Sequence, residues 1–166
     1  MKPINVVSLV LWFIAATALG FGVGNWSVTN GYRVPISGVS LSVSIAVVCV
    51  VLVVLALPIY RYKRALKKLL EAKNAKAQRP VPVDPFYAVR VLLLAKASAI
   101  ASALFIGWHA GVLVVLFSAP VVASEAVGPN LSAGITSVVL LMCAFVVQGI
   151  CRLPSDGQSK DGAVAA

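Results

Sequence analysis

Four apolar stretches alternate with short polar segments along this chain. Residues 6–24 carry no charge and sit between Asn5 and Asn25. Residues 39–59 are dominated by Val and Leu, a third stretch lies within residues 86–118, and a fourth covers residues 131–151. A helix crosses a hydrocarbon core of about 30 Å with about 20 apolar residues, so all four are long enough. Runs of this length are too long for strands, and a lone strand would leave its backbone unpaired in lipid. The pattern predicts an all-α, integral membrane four-helix bundle with spans at about 6–24, 39–59, 92–118 and 131–151. Residues 1–153 form one four-span membrane domain, and residues 154–166 are expected to be a disordered cytoplasmic tail.

The first stretch has a second reading. Lys2, an apolar run and Ala16-Thr17-Ala18 resemble a secretory signal with a small-residue cleavage site. The apolar run continues past that site to Gly24, which favours an uncleaved span.

Lys and Arg in the connecting segments set orientation. The segment after the first span holds only Arg33, and residues 119–130 hold no Lys or Arg. Eight basic residues lie between Arg61 and Arg79, and Arg152 and Lys160 follow the last span. This distribution places both termini and the central loop in the cytoplasm. Asn25 and Asn130 each open an Asn-X-Ser triplet on the outer side, a weak signal on its own.

Composition agrees with the pattern. Of 166 residues 60% are apolar and 11% charged, and the mean hydropathy is +0.98. Soluble domains carry about 25% charged residues. The net charge of +9 would suggest nucleic acid in a soluble protein. Here its concentration in one loop reads as topology, and no nucleic-acid partner is expected.

Residues 61–77 read as a basic helix continuing from the second span. Ala65, Leu66, Leu69, Leu70 and Ala72 favour helix, and the three leucines share one face. Such a helix can rest in the headgroup region. Arg61, Lys63, Arg64, Lys67 and Lys68 are then candidate contacts for anionic lipid, each worth about 1 kcal/mol near an anionic leaflet. The plainer reading is a topological anchor; the functional one is a lipid-regulated or partner-binding element. Pro80, Pro82 and Pro85 then impose a stiff, extended connector. Asp84 before Pro85 supplies an N-cap and a first helical residue.

The helix from residue 85 to 118 would be about 50 Å long, more than the hydrocarbon core. Ala95, Ala99, Ala103, Gly107 and Gly111 recur every four residues, with Ser98 and Ser102 beside them. Small residues let backbones approach closely, which is how helices associate in lipid, so this ridge is expected to pack on another helix. Arg90 and Lys96 fall near its cytoplasmic part. Lys96 points toward the small face and has three readings: a snorkelling anchor, an interhelical hydrogen-bond donor or a transport residue. His109 is the single histidine, and a hydrogen bond to Ser, Thr or a carbonyl of another helix is its expected role.

Cys49, Cys143 and Cys151 lie in or at the end of apolar runs and read as small apolar fillers, with no structural disulfide expected. No paired carboxylates, nucleophile with a base, or phosphate-binding glycine loop occurs. No catalytic, cofactor or metal site is expected, and the five acids all fall outside the spans.

The stretch from Pro82 through Asp84-Pro85-Phe86, then Leu94 to Ala99, Gly107-Trp108-His109-Ala110-Gly111, and Cys151-Arg152-Leu153-Pro154 resembles an uncharacterised family of actinobacterial membrane proteins classed as a domain of unknown function. The resemblance covers most of the chain and is specific around residues 82–111 and 151–154. It implies four spans and a similar chain length. Family members often carry an aromatic residue where His109 stands, and are often encoded beside folate-synthesis genes. No catalytic or binding residue comes with the resemblance.

These readings converge on a non-enzymatic, multi-pass cell-membrane protein, a scaffold or accessory factor for a cell-envelope assembly. Its expected partners are anionic membrane lipids and a membrane protein or further copies of itself. The alternative is a small transporter or transporter subunit for an anionic metabolite, with Arg90 or Lys96 meeting the substrate.

Overall fold

A computed structural model of the chain describes residues 5–71, 84–118 and 124–151. Among them are four helices and no strand: α1 (Val6–Thr29), α2 (Val39–Glu71), α3 (Pro85–Ser118) and α4 (Ser124–Cys151). Each is long and apolar enough to cross a membrane.

Helix α1 outlasts its predicted span, continuing from residue 24 to Thr29. Asn30 ends it: its backbone N–H and side-chain Nδ2 both donate to the Trp26 carbonyl, at 3.2 and 2.8 Å. Gly31 follows with φ 73°, a left-handed conformation that glycine adopts without strain. Helix α2 is one continuous helix that joins the second span to the start of the basic segment, with Pro58 inside it. Residues 72–77 of the predicted basic helix, residues 79–83 of the connector and the 154–166 tail lie outside the described residues. Helix α3 starts as its sequence dictates. Asp84 Oδ1 accepts from the Phe86 N–H at 2.9 Å, and the Asp84 carbonyl accepts from Ala88 N–H at 3.2 Å.

Helix α4 corrects the reading of residues 124–130 as a loop. It begins at Ser124 and carries Gly128 and Pro129 within its first turns. Ala126, Asn130, Ala133 and Ser137 make one buried stripe at helical spacing. Burial of that stripe against the bundle outweighs the hydrogen bond that Pro129 cannot donate.

Helix α3 lies between α1 and α4 and packs extensively on both; α2 leans on α4 and touches α3 only lightly. Helix α1 is not packed alongside α2 or α4. The α1–α3 seam is made by two small-residue rows. A side chain at Gly107 would run into the Phe13 carbonyl oxygen and stand 2.9 Å from the Ala16 Cβ. One at Gly111 would meet the Thr17 carbonyl and the Phe21 nitrogen, and one at Gly20 would meet the Trp108 carbonyl. Ala16 and Gly20 of α1 thus meet Gly107 and Gly111 of α3 with their backbones close together, and Gly24 faces the Val115 side chain. The small residues at 16–18 that also suit a cleavage site include one member of this row.

Toward the other end of α3, Ala99 and Ala103 pack with Leu9 and Ala144. Ala95 joins Leu52, Ala56, Val91 and Val147 in a second cluster. Lipid supplies no hydrophobic force between helices, so van der Waals packing at such narrow contacts holds the bundle. The outer faces stay apolar: Val43, Val47, Val50 and Val54 of α2 are all more than half exposed.

Candidate functional site

Two places in the bundle gather polar chemistry. The first is a buried node near the end of the bundle formed by the start of α4 and the segment before α2. Asn130 has no exposed surface, and His109 almost none. Asn130 Nδ2 donates to the carbonyls of Ala126 at 2.9 Å and Pro35 at 3.1 Å. Its Oδ1 accepts from the Ser37 hydroxyl at 3.0 Å and lies 3.3 Å from His109 Nδ1. Ser37 Oγ is also 3.3 Å from His109 Nδ1. Since the amide spends both donors on carbonyls, its oxygen can only accept, and the network places the imidazole proton on Nδ1. Nε2 is then a bare acceptor, buried without a hydrogen-bond partner among the described residues.

Serine, histidine and asparagine together invite comparison with a nucleophilic relay. In such a relay the hydroxyl bonds one ring nitrogen and the orienting group bonds the other. Here both partners converge on Nδ1, so a proton taken from Ser37 has no base held ready for it. The node instead ties three segments together: the stretch at residues 35–37, α3 through His109 and α4 through Asn130.

The second place is the opposite end of the bundle, between α2 and α4. A groove of about 650 Å³ is lined by Lys63, Arg64, Lys67 and Lys68 of α2 and by Gly149 of α4. A second cavity of about 320 Å³ lies along the same two helices and is lined by Val53, Leu57, Met142 and other apolar side chains. Tyr60, Val146 and Ile150 line both, so the cationic and apolar halves are continuous. Arg61 is exposed and does not line the groove.

The sequence-derived candidates fall into separate places. Ala95, Ala99, Ala103, Gly107 and Gly111 are all buried within α3. Arg90 is exposed and Lys96 half-buried on the same helix. His109 meets a serine, Ser37, but that residue lies in the non-helical segment before α2 and not on another helix as expected. Asn130, the centre of the node, was read as an outer-loop residue with a glycosylation triplet, whereas it is fully buried in α4. Its only sequence signal is an amide seven residues ahead of Ser137 on what proves to be one helical face. Further along the α3–α4 interface Ser98, Ser102, Ser137 and Gln148 are buried. Ser102 and Ser137 donate back to their own helices, at the Ser98 and Ala133 carbonyls, and Gln148 Nε2 reaches the Ala95 carbonyl at 3.4 Å.

Sequence reasoning also missed a cysteine pair. Cys49 Sγ of α2 and Cys143 Sγ of α4 are 2.9 Å apart, both as free thiols. Oxidation of the purified full-length chain with copper phenanthroline should therefore consume two of its three thiols and give an intramolecular cross-link, seen as faster migration on a non-reducing gel. Cys49→Ser should abolish the shift. Three unreacted thiols would show that α2 and α4 do not share this register.

Four apolar membrane-length helices define a multi-pass membrane protein. Residues 9–155 match the family described as "Protein of unknown function (DUF3180)", and the chain belongs to that family. No curated protein and no solved structure matches it.

Proposed function

We propose that this protein is a non-enzymatic scaffold or accessory factor for an assembly in the cell membrane, with its basic end and both termini in the cytoplasm. The observation that carries this reading is the unequal packing of the bundle. Helix α3 is enclosed by α1 and α4, whereas α1 and α2 are each held along one flank and leave apolar faces open along their length. Such a face suits a second membrane helix, from a partner or from another copy, and the closed α1–α3 seam supplies the rigid support behind it.

A transporter for an anionic metabolite draws on the buried polar groups between α3 and α4. Ser102 and Ser137, however, are satisfied by carbonyls of their own helices, which suits dry packing better than a wetted path. Arg90 lies on the surface rather than among them.

Affinity capture of the tagged full-length chain in mild detergent tests the proposal. Stoichiometric recovery of a membrane protein, or a defined homo-oligomer, is expected. A monomer that by itself catalyses anion flux in proteoliposomes would overturn the proposal in favour of transport.

Orientation has its own check. In a chain whose three native cysteines are replaced, Ser124→Cys should react with an impermeant maleimide in intact cells, and Ser159→Cys only after permeabilisation. Labelling in the reverse order would invert the orientation.

A further inference from the structure

We infer that the groove between α2 and α4 is a binding site for one anionic phospholipid, with the headgroup phosphate among Lys63, Arg64, Lys67 and Lys68 and an acyl chain along the apolar half. The inference rests on the proposed membrane protein reading, and adds to it a particular site and ligand. Three features of the groove carry it.

The first is the placement of charge. Residues 63, 64, 67 and 68 follow i, i+1, i+4, i+5 spacing, which puts four cations on one face of α2, and that face is turned toward α4. Basic pockets between membrane helices bind phosphate headgroups.

The second is the floor. Gly149 of α4 lines the cationic half, and open space stands where its Cβ would be. The missing side chain leaves room for a headgroup against the helix.

The third is continuity with the apolar half. Tyr60, Val146 and Ile150 belong to both cavities, and Val53, Leu57 and Met142 extend the surface along the span. Tyrosine favours the boundary between headgroups and hydrocarbon. A soluble phosphate or an acidic peptide would use only the cationic half. A phospholipid uses both, with its charge change and its apolar stretch in the same order as those of the groove. A positive-inside anchor needs none of these three features.

The test is native mass spectrometry of the delipidated full-length chain in neutral detergent, titrated with phosphatidylglycerol or with phosphatidylcholine. One phosphatidylglycerol is expected to bind selectively. Glycerol phosphate, the soluble headgroup, should fail to displace it at equal concentration. Each groove cation removed should weaken binding about fivefold, so the double variant Lys67→Gln/Lys68→Gln should lose roughly 25-fold while Arg61→Gln loses less than about twofold. Leu57→Trp fills the apolar half and Gly149→Trp the cationic half without changing any charge, and both should abolish the selective adduct. Equal losses for Arg61→Gln and Lys68→Gln, with both tryptophan variants binding normally, would reduce the groove to a charged helix and overturn the site. Partner capture uses no added lipid, so the scaffold reading can fail while the lipid titration succeeds, and the reverse.

Discussion

Gly107→Leu and Gly111→Leu should each destabilise the bundle more than any other single change considered for this chain. At both positions the first carbon of a side chain would overlap a carbonyl oxygen of α1, of Phe13 or of Thr17. Backbone cannot move aside as the end of a flexible side chain can. Relief would require α1 and α3 to separate, and separation would also loosen the contacts at Gly20 and Gly24 along the same seam. Overpacking a well-filled interior costs about 1–3 kcal/mol, and a contact with rigid backbone belongs at the upper end, about 3 kcal/mol. Ala103→Leu should cost less than either, because Ala103 packs against side chains, Leu9 and Ala144 among them, which can shift. Leu93→Ile and Val114→Leu are controls, since both residues are about half exposed on α3. Unfolding in mixed micelles by SDS titration reads the differences. If the glycine variants unfold with the controls, α1 does not approach α3 as closely as the structure holds it.

How much of this arrangement could be read in advance depends on what kind of signal marked each part. The row from Ala95 to Gly111 was visible because small residues at a strict spacing of four are themselves the packing signal in lipid. Its partner row on α1 was harder to see. Ala16 stands in a stretch that also suits a cleavage site, and Gly20 and Gly24 look like punctuation near the end of an apolar run. The start of α4 was misplaced because Gly128, Pro129 and Asn130 are turn formers locally, and only tertiary burial makes them helical. The node at Asn130 was lost with it, since an amide assigned to an outer loop cannot meet His109. The cationic residues were legible as a charged run, but their meeting with Gly149 was not, because pairing α2 with α4 is a fact of topology and leaves no periodic trace. The same holds for Cys49 and Cys143, which are 94 residues apart in the chain.

Asn130→Leu should be the next most damaging change, and comparison with His109→Phe shows why. Leucine keeps the approximate size of the side chain and removes every polar contact that Asn130 makes, leaving only the one of 3.3 Å between Ser37 and His109. The Pro35 carbonyl, the Ser37 hydroxyl and the His109 Nδ1–H then lose their shared partner in a place shielded from water. Hydrogen bonds between membrane segments average about 0.6 kcal/mol each, so three together amount to about 2 kcal/mol. The helical bond to Ala126 is a further, smaller loss, because that carbonyl belongs to the same helix. His109→Phe removes the two long contacts of 3.3 Å that share the Nδ1 proton, to Asn130 and to Ser37, and leaves the amide joined to Ser37, Pro35 and Ala126. It also removes Nε2, the buried acceptor without a partner among the described residues. The loss and the relief oppose each other, so the cost of His109→Phe should stay below about 1 kcal/mol, within the range for a single membrane hydrogen bond. Hydrogen exchange adds spatial detail: Asn130→Leu should release protection at the Leu41 amide, which donates to the Gly38 carbonyl at 3.0 Å, before the α1–α3 seam opens, because Asn130 ties the segment just ahead of it to α4 through the Pro35 carbonyl and Ser37. Equal destabilisation by the two variants would place the imidazole, rather than the amide, at the centre of the node. Unchanged exchange at Leu41 in Asn130→Leu would show that the segment is held by its packing alone.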